Sequence, residues 1–218
     1  MAATAAVDLL TRGGLTVKGR LPWSSNATLL VEAELDGATA LGVYKPERGE
    51  RPLWDFPSGL FRRELAAWHL SEALGWGLVP LTVAREEAPY GEGSVQLFIP
   101  ADFEQHYFTL REEERHHDRL RQICAFDLVA NNADRKSGHC LLGEDGQIYA
   151  IDNGLCFHVE PKLRTVIWEF ADEPLPPAVA ELIDTDEARA LLKRARALVK
   201  IGRFPTDTVG RGYPWPLV

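Results

Sequence analysis

The chain has 218 residues, 45% hydrophobic and 26% charged, which suits one globular domain or two small lobes sharing a cleft and allows a sizeable core without disulfide or metal staples. Its formal net charge of −8 and pI near 5.3 make nucleic acid and anionic membrane unfavourable partners for the whole chain; a local basic patch stays open, although no long Lys/Arg run exists. Three cysteines without a CxxC pair argue against a zinc site or a disulfide framework and fit a reducing cytoplasm.

The segment Met1 to Leu10 is Ala-rich but carries Asp8 and no basic flank, so it does not read as a secretion signal. No apolar run reaches the ~20 residues of a bilayer span, so integral membrane association is not expected. Leu15–Leu21 reads as a strand and Pro22–Asn26 as a turn. Ala27–Leu35, the Asp36-Gly37 turn and Thr39–Lys45 then predict a hairpin, which Pro46 stops. Glu47–Ser58 is a charged loop. Gly59–Leu74 predicts a helix with Phe61, Leu65 and Trp68 on its apolar face, and Gly75 stops it. Val79–Ala84 and Ser94–Ile99 read as two further strands, and Pro100 closes this β-rich half.

The second half is expected to be mostly helical. Leu110–Ala130 predicts a helix that begins charged and grows apolar, and Asn131–His139 is too rich in turn formers for a regular element. Cys140–Leu142 and Ile148–Ile151 flank Glu144-Asp145-Gly146 as a short hairpin. After an irregular stretch, Pro177–Ile183 and Thr185–Ile201 read as two helices. The predicted fold class is α+β. Residues 1–100 would form an antiparallel β N-lobe with one helix, and residues 101–218 a mainly helical C-lobe, a two-lobed protein-kinase-like arrangement.

Chemistry concentrates between Leu128 and Phe157. Asp134 follows a helix that becomes apolar toward it, and Asp152 follows the strand end Tyr149-Ala150-Ile151, so two carboxylates stand at the ends of buried elements. Phosphoryl transfer needs such a pair: one carboxylate positions or deprotonates the attacking hydroxyl, the other holds the divalent ion that neutralises the triphosphate. Taken singly, the first loop is a helix-ending turn and Asp152-Asn153-Gly154 a hairpin turn; their order and spacing together point to an ATP and metal site.

The segments ADRKSGHCLL and AIDNGLCF resemble the D-R-x-x-x-N and I-D-N/F-G loops of the phosphatidylinositol 3- and 4-kinases, with the type II 4-kinases the nearest named group. The chain also resembles a small actinobacterial family classed as similar to these kinases. The resemblance implies catalytic positions for Asp134 and Arg135 and a metal position, for Mg or Mn, at Asp152. His139 stands where the family has Asn. An imidazole in place of an oxygen donor leaves three roles open: a softer metal ion, a bond to phosphate, or neither.

In the first half, Lys45 ends the third strand where a kinase carries its phosphate-binding lysine, and Glu64 in the next helix would orient it, with Glu72 as a rival. Ser24, Ser25 and Asn26 occupy the place of the phosphate-covering loop, and Phe98, within Gln96–Pro100, lies where backbone would bond adenine. The expectation is an ATP-dependent phosphotransferase. A nucleotide-binding pseudokinase module and an enzyme transferring AMP are its rivals. The acceptor, whether small molecule, protein or lipid, is not specified by the sequence, which has no palmitoylation cluster, polybasic stretch or amphipathic anchor.

Overall fold

Local turn chemistry builds the first sheet. Asp36 and Gly37 both adopt positive φ, 50° and 78°, the geometry a two-residue hairpin turn demands. They join β2 (Leu29–Leu35) to β3 (Ala38–Pro46), and β1 (Gly14–Arg20) pairs with the other side of β2. With β4 (Thr82–Arg85) and β5 (Gly93–Leu97) these form one wholly antiparallel sheet in the order β1-β2-β3-β5-β4.

The computed structural model describes residues 3–22, 26–173, 194, 197–198, 200–203, 205–206 and 212–214. Among these, the chain divides into two compact units, 1–70 with 79–100, and 71–78 with 101–218. The α+β class read from the sequence is that of the folded chain.

In the first unit, a helix that sequence reading missed, α1 (Ala3–Arg12), packs Leu9 and Leu10 against Val31, Ala33, Tyr44, Val83 and Val95 of the sheet. The Ala-rich start is a run of good helix formers with apolar residues at 6, 9 and 10, which is the local signal for this helix. Alternation along β3 sends Tyr44 into that core and Lys45 to the opposite face. Gly93 lies opposite Pro46 in the register, and a Cβ there would collide with the Lys45 carbonyl, so the glycine lets β5 hold the end of β3 closely.

Helix α2 (Leu60–Ala73) is started by Glu50, whose carboxylate accepts the amides of Gly59 and Phe61, both at 2.9 Å. Its buried stripe runs through Leu60, Phe61, Glu64 and Ala67, while Leu65 and Trp68, expected on that face, are only half-buried. A carboxylate therefore sits on the apolar stripe of the helix.

In the second unit, the expected helix from Leu110 to Ala130 is broken. A single turn, α3 (Tyr107–Leu110), precedes a 3-10 turn at Glu114–His116, and the long helix α4 starts only at His117 and ends at Ala130. Glu113 in extended conformation makes the break. Strands β6 (Cys140–Leu142) and β7 (Ile148–Ala150) form the predicted hairpin. Residues 71–78 join this unit: the Leu78 carbonyl accepts Ala150 N–H, and the Arg119 guanidinium donates to the carbonyls of Trp76 and Gly77. The helix expected over Pro177–Ile183 lies outside the described residues. Most of that over Thr185–Ile201 does too, although Arg194, Ala197, Leu198, Lys200 and Ile201 are helical.

Candidate active site

The loop after α4 is held by two asparagines that the sequence marks only as turn formers. Asn131 takes the left-handed conformation, φ 55°, that ends the helix. Its side chain donates to the carbonyls of His158 and Glu160 and accepts Lys162 N–H at 2.9 Å. Asn132 donates to Asp127 at 2.9 Å and accepts the Asp134 amide at 2.9 Å, which sets the backbone of the candidate catalytic residue.

Behind that loop, Asp127 and Arg135 are both completely buried. The Arg135 guanidinium contacts both Asp127 oxygens through Nε, at 3.1 and 3.0 Å, and donates to Asn153 Oδ1 at 2.7 Å and the Ile151 carbonyl at 2.7 Å. Burial alone lowers the pKa of this guanidinium, but the charge and bonds of Asp127 outweigh it, so the group stays protonated. The catalytic position implied for Arg135 is thus corrected. Its side chain has no exposed surface, and it is a positioning residue that ties the Asp134 loop to the Asp152 loop. Asn153 completes the tie by donating to the Ala150 carbonyl at 3.0 Å.

Asp134 and Asp152 differ in environment. The Asp134 side chain is 22% exposed, and that of Asp152 is 50% exposed. Burial raises the Asp134 carboxyl to about 6; Lys136 and Arg135 pull it down, and Asp152 pushes it up. Lys136 lies with Nζ 3.2 Å from Asp134 Oδ2, a neighbour that sequence reading did not single out. Its signal is its place two residues after Asp134, which only the turn of the loop converts into a contact. Asp152 itself has φ 56°, and that conformation delivers its carboxylate toward His139 Nε2, with Oδ2 3.3 Å away.

His139 lies in a 3-10 turn (Ser137–His139) whose backbone is fixed on both sides: its carbonyl accepts from Ile151 N–H and from Arg135. Asp152 Oδ2 and His139 Nε2 form one carboxylate oxygen and one imidazole nitrogen facing the same space. Such a pair fits a divalent ion that completes its shell with water and phosphate oxygens. Among the described residues no group of three or more His, Cys, Asp and Glu side chains makes a closed metal site, and the three cysteines are buried thiols, that of Cys140 pushed up to about 12 by burial.

In the first unit, Lys45 Nζ pairs with Glu64 Oε1; the lysine side chain is 20% exposed and the glutamate 3%. Glu72 is exposed, so Glu64 is the partner. Ser24 and Ser25 lie outside the described residues. Asn26 is described, and its Oδ1 accepts Arg51 N–H at 3.0 Å, pinning the 47–58 loop. The Phe98 amide donates to the Leu41 carbonyl at 3.0 Å, so it is committed to the sheet and is not a donor for adenine.

The chain is 40% identical to protein Rv2133c of Mycobacterium tuberculosis (strain ATCC 25618 / H37Rv) over an alignment of 261 residues that covers 95% of this chain and 94% of that protein. No family model matches. Among solved structures, a Helicobacter pylori proinflammatory kinase, CtkA, aligns with a TM-score of 0.48 at 13% identity, covering 88% of this chain and 92% of the other. A likeness of that degree carries nothing about chemistry.

Proposed function

For a chain that belongs to the family of Mycobacterium tuberculosis protein Rv2133c, we propose an ATP-dependent phosphotransferase of the phosphatidylinositol 3-/4-kinase-like type. The observation that carries this reading is the Arg135 tie. One buried guanidinium fixes, against each other, a loop bearing a carboxylate raised to about 6 and a loop bearing a carboxylate beside an imidazole. Phosphoryl transfer rests on positioning and charge stabilisation more than on covalent chemistry, and a rigid pair of differentiated carboxylates supplies the positions.

In this reading Asp134 accepts or orients the proton of the attacking hydroxyl. With a pKa of about 6 it is ionised at pH 7 yet basic enough to take a proton. Lys136 holds the carboxylate oxygen in place and brings a positive charge beside it. Asp152 and His139 would hold the divalent ion, which when bound neutralises charge on the triphosphate. Lys45, oriented by Glu64, would bind the α- and β-phosphates. The acceptor is a hydroxyl of a small molecule, a protein or a lipid; no helix among the described residues is long and apolar enough to cross a membrane.

The test is a metal-dependent ATP turnover assay on the full chain, with acceptor candidates and with the products weighed by mass spectrometry. Addition of phosphate supports the proposal. Addition of AMP makes the chain a nucleotidyl transferase, and nucleotide binding without any product makes it a binding module.

A further inference from the structure

The ring of His139 is fixed at one nitrogen and presents the other. Nδ1 lies 2.9 Å from the Asp134 carbonyl and 3.3 Å from the Lys136 amide. The two contacts ask opposite things of Nδ1, since the carbonyl needs a donor and the amide an acceptor. The shorter contact decides: two lone pairs facing at 2.9 Å repel, whereas an N–H at 3.3 Å from nitrogen gains little. A ring that carries its proton on Nδ1 turns the Nε2 lone pair toward Asp152 Oδ2, an arrangement that repels unless a cation lies between the two. Donation of the second ring N–H to a backbone carbonyl is the arrangement that orients metal-binding histidines.

The spacing agrees. Adjacent donors around an octahedral ion, each at about 2.1–2.2 Å, lie about 3.0–3.1 Å apart. His139 Nε2 and Asp152 Oδ2 stand 3.3 Å apart. The backbone beside this pair is braced by Ile151 N–H to the His139 carbonyl at 3.0 Å and by Arg135 donating to the carbonyls of His139 and Ile151. The backbone bonds thus hold the two donors close to the spacing of adjacent ligands.

We propose that His139 ligates the divalent ion directly through Nε2, together with Asp152, and that this nitrogen makes the site select a first-row transition ion such as Mn2+ over Mg2+. The inference rests on the phosphotransferase reading above for the presence of an ion, and adds which ion and which atom. Magnesium dehydrates reluctantly and takes oxygen, whereas affinity for nitrogen donors rises along the first-row series. The competing arrangement is an imidazolium that donates Nε2–H to Asp152 and binds no metal.

The experiment is pulsed electron paramagnetic resonance of Mn2+ on the full chain with a non-hydrolysable ATP analogue, beside Mn2+ and Mg2+ affinities measured by calorimetry. The expected result is nitrogen modulation from a directly bound imidazole, which changes pattern when the protein is labelled with 15N-histidine. It is lost in His139→Asn and His139→Gln, and the preference for Mn2+ over Mg2+ falls about tenfold or more in His139→Asn, as losses around a metal site generally do. Mn2+ bound without imidazole modulation, or modulation that survives both substitutions, overturns the inference and leaves the phosphotransferase reading standing. Absence of any divalent ion binding in the presence of nucleotide overturns both. Should the variants fail to fold, the labelled wild-type protein decides: lack of 15N modulation overturns the proposal.

Discussion

Arg135 and Asp127 form an ion pair with no solvent exposure on either side chain, and the same guanidinium reaches Asn153, next to Asp152, across 18 residues of sequence. Asp127 comes from α4 and Asn153 from the turn after β7, so one buried charge joins the ends of a helix and a hairpin. A buried pair of this kind is expensive to break, because the survivor is left as an uncompensated charge. The single substitution Arg135→Met should destabilise the protein by about 3–5 kcal/mol, and Arg135→Lys should not rescue it, since an ammonium cannot reproduce the fork of contacts. Chemical denaturation of Arg135→Met, Asp127→Asn and the double variant checks this. Additive losses would mean that the pair does not act as a unit.

Asp134 has a stability signature separate from catalysis. Its carboxyl binds a proton more tightly in the folded chain, at about 6, than in an unfolded chain. The folded state therefore holds the extra proton between about pH 4 and 6, and stability falls as pH rises through that window. Asp134→Asn removes the buried ionised group. It should melt higher than wild type above pH 7, by about 1–3 kcal/mol, and lose that advantage below about pH 4. A variant less stable than wild type at pH 7.5 would contradict the buried, raised carboxyl.

The same group predicts a rate profile. Turnover that needs the Asp134 carboxylate should rise with pH through about 6, and Asp134→Asn should slow it by about 10²–10⁴-fold while nucleotide affinity holds. Lys136 lowers this pKa, so Lys136→Met should move the rise to higher pH. An unmoved rise would remove Lys136 from the neighbourhood of the base.

Lys45 and Glu64 separate a folding role from a binding role. Lys45→Met leaves a carboxylate that is 3% exposed without its lysine, and should cost up to about 3–5 kcal/mol along with nucleotide affinity. The double variant Lys45→Met with Glu64→Leu should regain much of the stability, because an apolar residue suits the buried stripe of α2, without regaining affinity. Recovery of ATP binding in the double variant would show that Lys45 serves folding alone.

Asp152→Asn should abolish metal-dependent nucleotide affinity with little effect on melting, since its side chain is half exposed. Full metal-dependent binding by that variant, measured by calorimetry, would remove Asp152 from the site.

The sequence alone determined the elements whose signals are local. Asp36-Gly37 sets its hairpin through positive φ in adjacent residues, β6 and β7 follow from one short turn, and Asp134 and Asp152 stand out as carboxylates at the ends of apolar runs. The spacing of Lys45 and Glu64 was legible for the same reason, each residue being marked by its place on one strand or one helix. Tertiary structure decided the partners. It chose Glu64 over Glu72 because only Glu64 lies on the buried stripe of α2, and it placed Arg135 in the interior, away from the catalytic position its neighbour Asp134 suggests. It also gave roles to Asn131, Asn132 and Lys136, which the sequence shows only as polar residues in a turn, and to Asp127, which it shows only as a polar residue within a helix, and it spent the Phe98 amide on Leu41. It packed α1 on the sheet, where Leu9 and Leu10 meet strands that follow much later in the chain. The division has one physical cause. Turns and periodicity are settled by neighbours a few residues apart, whereas the partner of a buried charge is settled by whichever distant group the fold brings within bonding distance, and no pattern along the chain records that distance.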